Sequence, residues 1–237
     1  MKRIVAVLAY LGFLVVVLWS VAFLASVGGV PAVDGHGSSR PVAVVVDLAL
    51  LGLFAVHHSV MARSGPKRWV TRVLPASLER TSYVLVADLL LALVLGLWQP
   101  ISGSVWEVHD PAGRALLWTV FGLGWLIAVA STFMIDHFDL VGLRQVLRPS
   151  SAPPVFQVRW LYRWVRHPLM LGLLIAFWAT PSMSVGHLLF AVASTGYISV
   201  GVHLEERDLA RDLGEPYQEY ARRVPPVVPR LRARPSR

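Results

Sequence analysis

Six long apolar stretches dominate this sequence and restrict the chain to a fold whose helices lie in lipid. They cover residues 4–27, 41–61, 81–98, 115–134, 169–180 and 185–203. A helix needs about 20 apolar residues to cross about 30 Å of hydrocarbon, and the first four stretches approach or exceed that length. The fifth is shorter, and Pro181 separates it from the sixth, which predicts a helical hairpin. We therefore predict an all-α, polytopic membrane bundle with six transmembrane helices, or five if the short stretch does not cross.

The basic residues fall almost entirely in segments that such a bundle places on one side of the membrane. Of the 22 Lys and Arg residues, only Arg40 and Arg114 fall on the other side. Because cytoplasmic loops carry the excess of positive charge, both termini are predicted to be cytoplasmic. The same pattern accounts for the net charge of +8, so no nucleic-acid partner is predicted.

Residue types that support metal or thiol chemistry are scarce in this chain. It contains no cysteine, which excludes disulfides, thiolate metal sites and a cysteine nucleophile. Membrane metal enzymes such as desaturases need several closely spaced histidines, and here only His57-His58 and His203 near Glu206 approach that pattern. Adjacent histidines do not form a chelating face on a helix, so we predict no metal and no protein partner.

Two short polar motifs flank the predicted hairpin. Pro168 suits the first turn of a helix, so Arg166 and His167 would stand beside amides that attract carboxylates. Glu205-Glu206 would end the sixth helix, and the hairpin brings both motifs to the same face of the membrane. Taken singly, each motif also fits an ordinary interfacial anchor or a solvated helix end. Together they predict a site for a ligand that carries both a carboxylate and hydroxyl or amino groups.

A longer pattern contains these motifs: Tyr162-x-x-x-Arg166-His167-Pro168-x-x-x-Gly172, then Glu205-Glu206, then Gly214-x-x-Tyr217-x-x-Tyr220. It resembles the isoprenylcysteine carboxyl methyltransferase-like superfamily, which includes phospholipid methyltransferases and the NnrU proteins, over about residues 155–229. Met170 departs from the pattern, since the family often has Tyr there. The resemblance implies that S-adenosylmethionine binds at the cytoplasmic end of the hairpin, without a Rossmann domain. The implied cofactor residues are Tyr162, Arg166, His167, Pro168, Leu169, Gly172, Glu205, Glu206, Tyr217 and Tyr220.

A narrower resemblance covers most of the chain. The residues that carry it are 55–63, 67–69, 79–85, 137–145 and 177–181, followed by Gly186-His187. They are similar to bacterial methanethiol S-methyltransferases, which implies methylation of a small thiol to dimethyl sulfide in the bacterial inner membrane, with the site facing the cytoplasm. The alternatives are methylation of a prenylcysteine carboxylate or a phospholipid amine, or a non-catalytic membrane protein of the NnrU type.

Residues that could act on the acceptor lie mainly in the first four helices. We predict catalytic roles for His58, Arg80, Tyr83, Asp88 and His137. His57 and His58 point about 100° apart on a helix, so at most one is expected to face the interior. Asp88 lies inside an apolar stretch, where an ionisable side chain indicates either a function or a hydrogen-bonded structural carboxyl. The expected division is an acceptor part over 1–134, a cofactor part over 135–223 and a basic, disordered tail over 224–237.

Overall fold

The computed structural model describes residues 1–35, 40–61, 63–147 and 158–229. In chain order the elements are α1 (Lys2–Leu24), α2 (Arg40–Met61), α3 (Ser64–Val73), α4 (Ala76–Leu97), β1 (Ser104–Glu107), α5 (Pro111–Ile135), α6 (His137–Leu140), α7 (Leu143–Leu147), a 3₁₀ turn (Trp160–Arg163), α8 (Pro168–Trp178), β2 (Ser182–Ser184), α9 (Val185–Leu213) and α10 (Glu215–Arg223). Within these ranges five helices, α1, α2, α4, α5 and α9, are long and apolar enough to cross a membrane. The predicted all-α membrane bundle is confirmed, with the 11-residue α8 as its short sixth helix.

Helix ends follow capping chemistry that apolar content alone does not reveal. Asp110 accepts a hydrogen bond from Gly113 N at 2.7 Å, and Pro111 occupies the first helical position. For this reason α5 begins four residues before the apolar stretch. At the other extreme, α9 continues to Leu213, ten residues beyond the predicted end, because a helix that leaves lipid can continue in water. Glu205 and Glu206 therefore lie inside α9. The prediction that they end this helix was wrong.

Three of the long helices form one half of the bundle. α1 runs parallel to α4, so that Trp19 packs 3.2 Å from the position of a β-carbon on Gly96. α2 runs antiparallel to α4, and Asp47 on α2 accepts a hydrogen bond from Gln99 N at 2.9 Å, just past the end of α4. The rings of Phe23, Trp98 and Phe190 meet edge to face at 5.6–5.9 Å and join this half to α9.

The other half is built on the direct contact of α5 with α8. A β-carbon on Gly172 would lie 2.5 Å from Ala128 N and from Gly124 O. A β-carbon on Gly124 would lie 2.8 Å from Ala176 N. The two backbones touch at these glycines, which is how small residues let membrane helices approach closely. Gly172, an implied cofactor residue, is thus placed against α5.

The substitution Gly172→Leu is expected to destabilise the protein by about 3 kcal/mol or more, because a branched side chain must push α8 away from α5. The purified variant should unfold at a lower temperature in detergent than the unsubstituted protein. Gly122→Leu is the matched control, since no atom lies within 4 Å of a β-carbon built there. Equal thermal stability of the Gly172→Leu and Gly122→Leu variants would contradict this packing.

The end of the bundle opposite Glu205 is closed by the antiparallel pair β1–β2 and by a contact between His187 and Asp34. His187, fully buried at the start of α9, lies 3.5 Å from Asp34 and 3.0 Å from Phe177 O. Burial acts to raise the pKa of Asp34, but hydrogen bonds from His187 and Ser184 outweigh it and lower that pKa. The guanidinium groups of Arg40 and Arg114 donate to backbone carbonyls at this same end.

Candidate functional site

Glu206 is the centre of a hydrogen-bond network at the other end of the bundle. Arg166 binds its carboxylate with two prongs, Nε donating to Oε1 at 2.8 Å and Nη2 donating to Oε2. Glu206 Oε1 is also hydrogen-bonded to His167 Nε2 at 2.7 Å, and it accepts a hydrogen bond from the Tyr217 hydroxyl at 2.8 Å. Only 10% of the Arg166 side chain and 19% of the Glu206 side chain are exposed. This partly buried network joins α8, α9 and α10, and both predicted motifs take part in it.

The remaining donors of Arg166 bind the last turn of α10 and the chain that follows it. Its Nη1 donates to Ala221 O at 2.7 Å and also to Val224 O. The backbone N–H groups of Arg166 and His167 donate to Pro225 O and Pro226 O, each at 2.9 Å. All three guanidinium nitrogens are therefore bonded within the protein. Residues 224–226, assigned to the disordered tail by the sequence, are held here in place, and residues 230–237 lie outside the described residues.

Glu205 differs from Glu206 although the two are adjacent. Its side chain is 53% exposed, and its carboxylate lies 3.6 Å from His167 Nδ1. Close by, Pro168 opens α8, so the amides of Leu169 and Met170 have no partner within the helix. An exposed carboxylate beside free amides at a helix N-terminus is complementary to a ligand that carries hydroxyl or ammonium groups together with a carboxylate.

Two tyrosines of α10 pack beside Arg166, His167, Glu205 and Glu206, and we name this group the cofactor cluster after its predicted role. Gly214, at φ 62° and ψ −139°, allows the sharp turn that folds α10 back against α9. Tyr217 is buried, and the Tyr220 hydroxyl donates to Tyr162 O at 2.6 Å. Burial raises the pKa of Tyr220 to about 12, and burial together with the hydrogen bond to Glu206 raises the pKa of Tyr217. Both hydroxyls therefore stay protonated and remain donors at neutral pH.

A second group of side chains, the His58 cluster, joins α2, α4 and α9 toward the same end of the bundle. His58 Nδ1 lies 2.9 Å from the Tyr83 hydroxyl, and Phe54 stacks on the imidazole with ring centroids 5.4 Å apart. Tyr197 of α9 meets His58 edge-on at 6.4 Å. Sequence reasoning missed Phe54 and Tyr197. Phe54 had a usable signal, since it precedes His58 by four residues and so shares its helix face.

The contacts of Tyr83 are compatible with a His58 tautomer whose proton is on Nδ1. The Tyr83 hydroxyl also donates to His58 O, a carbonyl in the last turn of α2, at 3.3 Å. A hydroxyl has one proton, so when it donates to that carbonyl it accepts from His58 Nδ1–H. The lone pair of His58 then lies on Nε2.

His57 also stacks on Tyr83 at 5.9 Å, so the expectation that only one of the two histidines faces inward was wrong. A tyrosine ring on α4 is broad enough to contact both.

Arg80 lies at the edge of the His58 cluster. Its guanidinium lies 5.0 Å from the centroid of the Tyr83 ring, and its Nε donates to Leu140 O at 2.8 Å. Next to it, the Thr81 hydroxyl donates to Gly142 O at 3.0 Å. These bonds fix the loop that follows α6 over the start of α4.

The structure does not bring the other two predicted catalytic residues to His58. His137 Nδ1 lies 2.8 Å from the Thr132 hydroxyl and His137 Nε2 lies 3.2 Å from the Tyr10 hydroxyl, each within hydrogen-bond distance. Both nitrogens of His137 are thus occupied, and burial lowers its pKa. Asp88 faces α1, with its Oδ2 3.6 Å from the position of a β-carbon on Gly12.

The two clusters share α9, which suggests one site with two halves. Tyr197 and Glu205 are eight residues apart, so about 12 Å of helical rise separates them. His203, between them, is exposed. Across the described part of the chain, no three His, Asp or Glu side chains converge as metal ligands.

Comparison with curated proteins finds relatives along almost the whole chain. A methanethiol S-methyltransferase of Mycobacterium tuberculosis is 49% identical over 239 residues, which cover 97% of this chain and 98% of the relative. A methanethiol S-methyltransferase of a Pseudomonas species is 50% identical over 226 residues, covering 93% and 87%. Nurim of Xenopus laevis is 30% identical over 180 residues, covering 70% and 62%. No family model and no solved structure matches.

Proposed function

The chain belongs to the methanethiol S-methyltransferase family, and from this premise we propose that it transfers a methyl group from S-adenosylmethionine to methanethiol and releases dimethyl sulfide. The observation that carries the proposal is the 49–50% identity over more than nine-tenths of the chain. A match of that length includes the helices of both clusters. We place the protein in a bacterial cytoplasmic membrane with this end of the bundle toward the cytoplasm, in line with its basic loops.

The cofactor cluster fits the chemical groups of S-adenosylmethionine, which supplies an electrophilic methyl group on a sulfonium. The exposed carboxylate of Glu205 would accept hydrogen bonds from ribose hydroxyls or the ammonium group. The amides of Leu169 and Met170 would donate to the carboxylate. The side chains of Tyr162 and Tyr220 would lie beside the bound S-adenosylmethionine. Arg166 and Glu206, already bonded to each other, would hold α8, α9 and α10 together and would not bind the ligand.

The His58 cluster would receive the thiol. Methanethiol is small and apolar, and the rings of Phe54 and Tyr197, with centroids 6.3 Å apart, would offer it an aromatic surface. A thiol is largely protonated at neutral pH, and the thiolate is the nucleophile. His58 Nε2 would accept the S–H proton, with Tyr83 holding the imidazole through Nδ1. The thiolate would then take the methyl group that S-adenosylmethionine supplies: a new carbon–sulfur bond would form, and the electron pair of the old bond would go to the sulfur of the departing S-adenosylhomocysteine.

Headspace gas chromatography of membranes given methanethiol and S-adenosylmethionine tests the function directly. Dimethyl sulfide above the level of membranes without the protein is the expected result. If the membranes form methyl esters of prenylcysteine or methylated phospholipids and no dimethyl sulfide, the acceptor is a prenylcysteine or a phospholipid and not methanethiol. Failure of the purified protein to bind S-adenosylmethionine would point to a non-catalytic membrane protein.

Glu205→Gln is expected to raise the KM for S-adenosylmethionine by roughly 10- to 100-fold, the cost of a lost charge-assisted hydrogen bond. The melting temperature should stay unchanged because the side chain is half exposed. Initial rates at varied S-adenosylmethionine measure the effect. Asp212→Asn, another exposed carboxylate on α9, is the matched control. An unchanged KM in the Glu205→Gln variant would remove Glu205 from the cofactor site.

A further inference from the structure

An open apolar groove lies outside both clusters, between the last third of α5 and the turn that precedes α8. Its volume is about 900 Å³, and its floor is formed by Leu126, Ile127, Ala130 and Met134 of α5. The residues at its mouth are Arg159, Trp160, Arg163 and Trp164. The groove thus runs from the apolar face of a membrane-spanning helix to a rim of two arginines and two tryptophans.

Within the described part of the chain, neither arginine on the rim forms an ion pair with a carboxylate. All 14 Asp and Glu residues of the chain lie in the described ranges, and none forms an ion pair with Arg159 or Arg163. Both side chains are exposed. By contrast, Arg144, Arg166, Arg211 and Arg223 each pair with a carboxylate. Two unpaired guanidinium groups on one turn form a site for an anion.

The tryptophans place this anion site at the level of lipid headgroups. Trp160 is 77% exposed and Trp164 is 68% exposed, as expected where an indole sits between hydrocarbon and water. Trp160 also adopts φ 44°, which is unusual for a bulky side chain.

We propose that this groove binds an anionic phospholipid, with the phosphate between Arg159 and Arg163 and an acyl chain along Leu126, Ile127 and Ala130. The charge of the rim selects an anionic headgroup, and the apolar floor requires an acyl chain. Bound lipid would also steady the turn that carries Tyr162, whose carbonyl holds Tyr220 in the cofactor cluster. The proposed lipid binding does not require that the protein transfers methyl groups.

Native mass spectrometry of the full chain in detergent, with phosphatidylglycerol or phosphatidylcholine added, tests the proposal. The protein should retain phosphatidylglycerol in preference to phosphatidylcholine. An Arg159→Gln/Arg163→Gln variant should retain roughly 25-fold less phosphatidylglycerol, since each arginine near an anionic lipid contributes about five-fold. The matched control is Arg68→Gln/Arg72→Gln, which removes two exposed arginines of α3 and should retain phosphatidylglycerol within about two-fold of the starting protein.

A groove-filling variant separates a true lipid site from simple surface attraction. Ala130→Trp keeps both arginines but occupies the floor, so it should also lose most of the retained phosphatidylglycerol. Retention unaffected by Ala130→Trp would show that the charge acts without the groove and would overturn the proposal. Equal losses in the Arg159/Arg163 and Arg68/Arg72 variants would overturn it as well.

Discussion

Replacing Glu206 with glutamine is expected to abolish dimethyl sulfide formation and to lower the melting temperature of the purified protein. The carboxylate receives Arg166, His167 and Tyr217 together, in a partly buried site. Without its charge, the guanidinium of Arg166 is left in that site with no anion, at a cost of about 3 kcal/mol. For a chain of this size that cost corresponds to a decrease of roughly 6–12 °C.

Activity should fall together with stability because the same network holds the cofactor cluster. α8, α10 and the carbonyls of residues 224–226 all meet at Arg166, so loosening Arg166 displaces the amides at the start of α8. Thermal unfolding in detergent and headspace gas chromatography on the same preparation measure both effects.

Glu219→Gln provides the comparison for Glu206→Gln. Glu219 is an exposed carboxylate of α10 that pairs with Arg223 four residues later, and such surface pairs contribute well under 1 kcal/mol. Its variant should keep both its melting temperature and its activity. If Glu206→Gln behaves like Glu219→Gln, Glu206 does not hold this end of the bundle together. If Glu206→Gln keeps its stability and only its KM rises, Glu206 acts on the ligand as Glu205 is proposed to do.

The different roles of Glu205 and Glu206 show where sequence reasoning stops. Apolar periodicity and the proline at 168 were enough to predict the hairpin and the shared end of the two motifs, since these depend on the solvent that each segment occupies. Which of two adjacent carboxylates faces Arg166 depends on the rotation of α9 and on α10 folding back through Gly214. That rotation is set by packing between distant elements, and no local pattern reports it.

The two histidine candidates make the same point from the other half of the bundle. His58 and His137 were both predicted to be catalytic, and His58 lies near the end of one apolar stretch while His137 follows another. In the structure His137 is bonded at both nitrogens, to Thr132 and Tyr10, whereas His58 is bonded at Nδ1 and stacked between aromatic rings. Only their hydrogen-bonding partners distinguish the two histidines. Two of these partners, Tyr83 and Tyr10, lie more than 20 residues away in the chain from the histidine that each one bonds.

His58→Asn is expected to lower kcat by roughly 100- to 1,000-fold, as the loss of a general base does, with the KM for S-adenosylmethionine unchanged. Asparagine retains a group that can bond to the Tyr83 hydroxyl but has no basic nitrogen in place of Nε2. The residual rate then depends on thiolate formed in solution, so it should rise about tenfold per pH unit below the pKa of the thiol. Initial rates of dimethyl sulfide formation across neutral and alkaline pH measure both the loss and the slope.

Tyr83→Phe and Tyr10→Phe distinguish orientation of the base from general packing. Each removes one hydroxyl that bonds a histidine, but only Tyr83 belongs to the His58 cluster. Tyr83→Phe should lower kcat by roughly 10- to 100-fold, the usual cost of losing a partner that orients a functional histidine, because His58 is then free to take the other tautomer. Tyr10→Phe should leave kcat and the pH profile unchanged and affect only stability. A His58→Asn variant whose rate is flat with pH, or a Tyr10→Phe variant as slow as Tyr83→Phe, would move the thiol base away from His58.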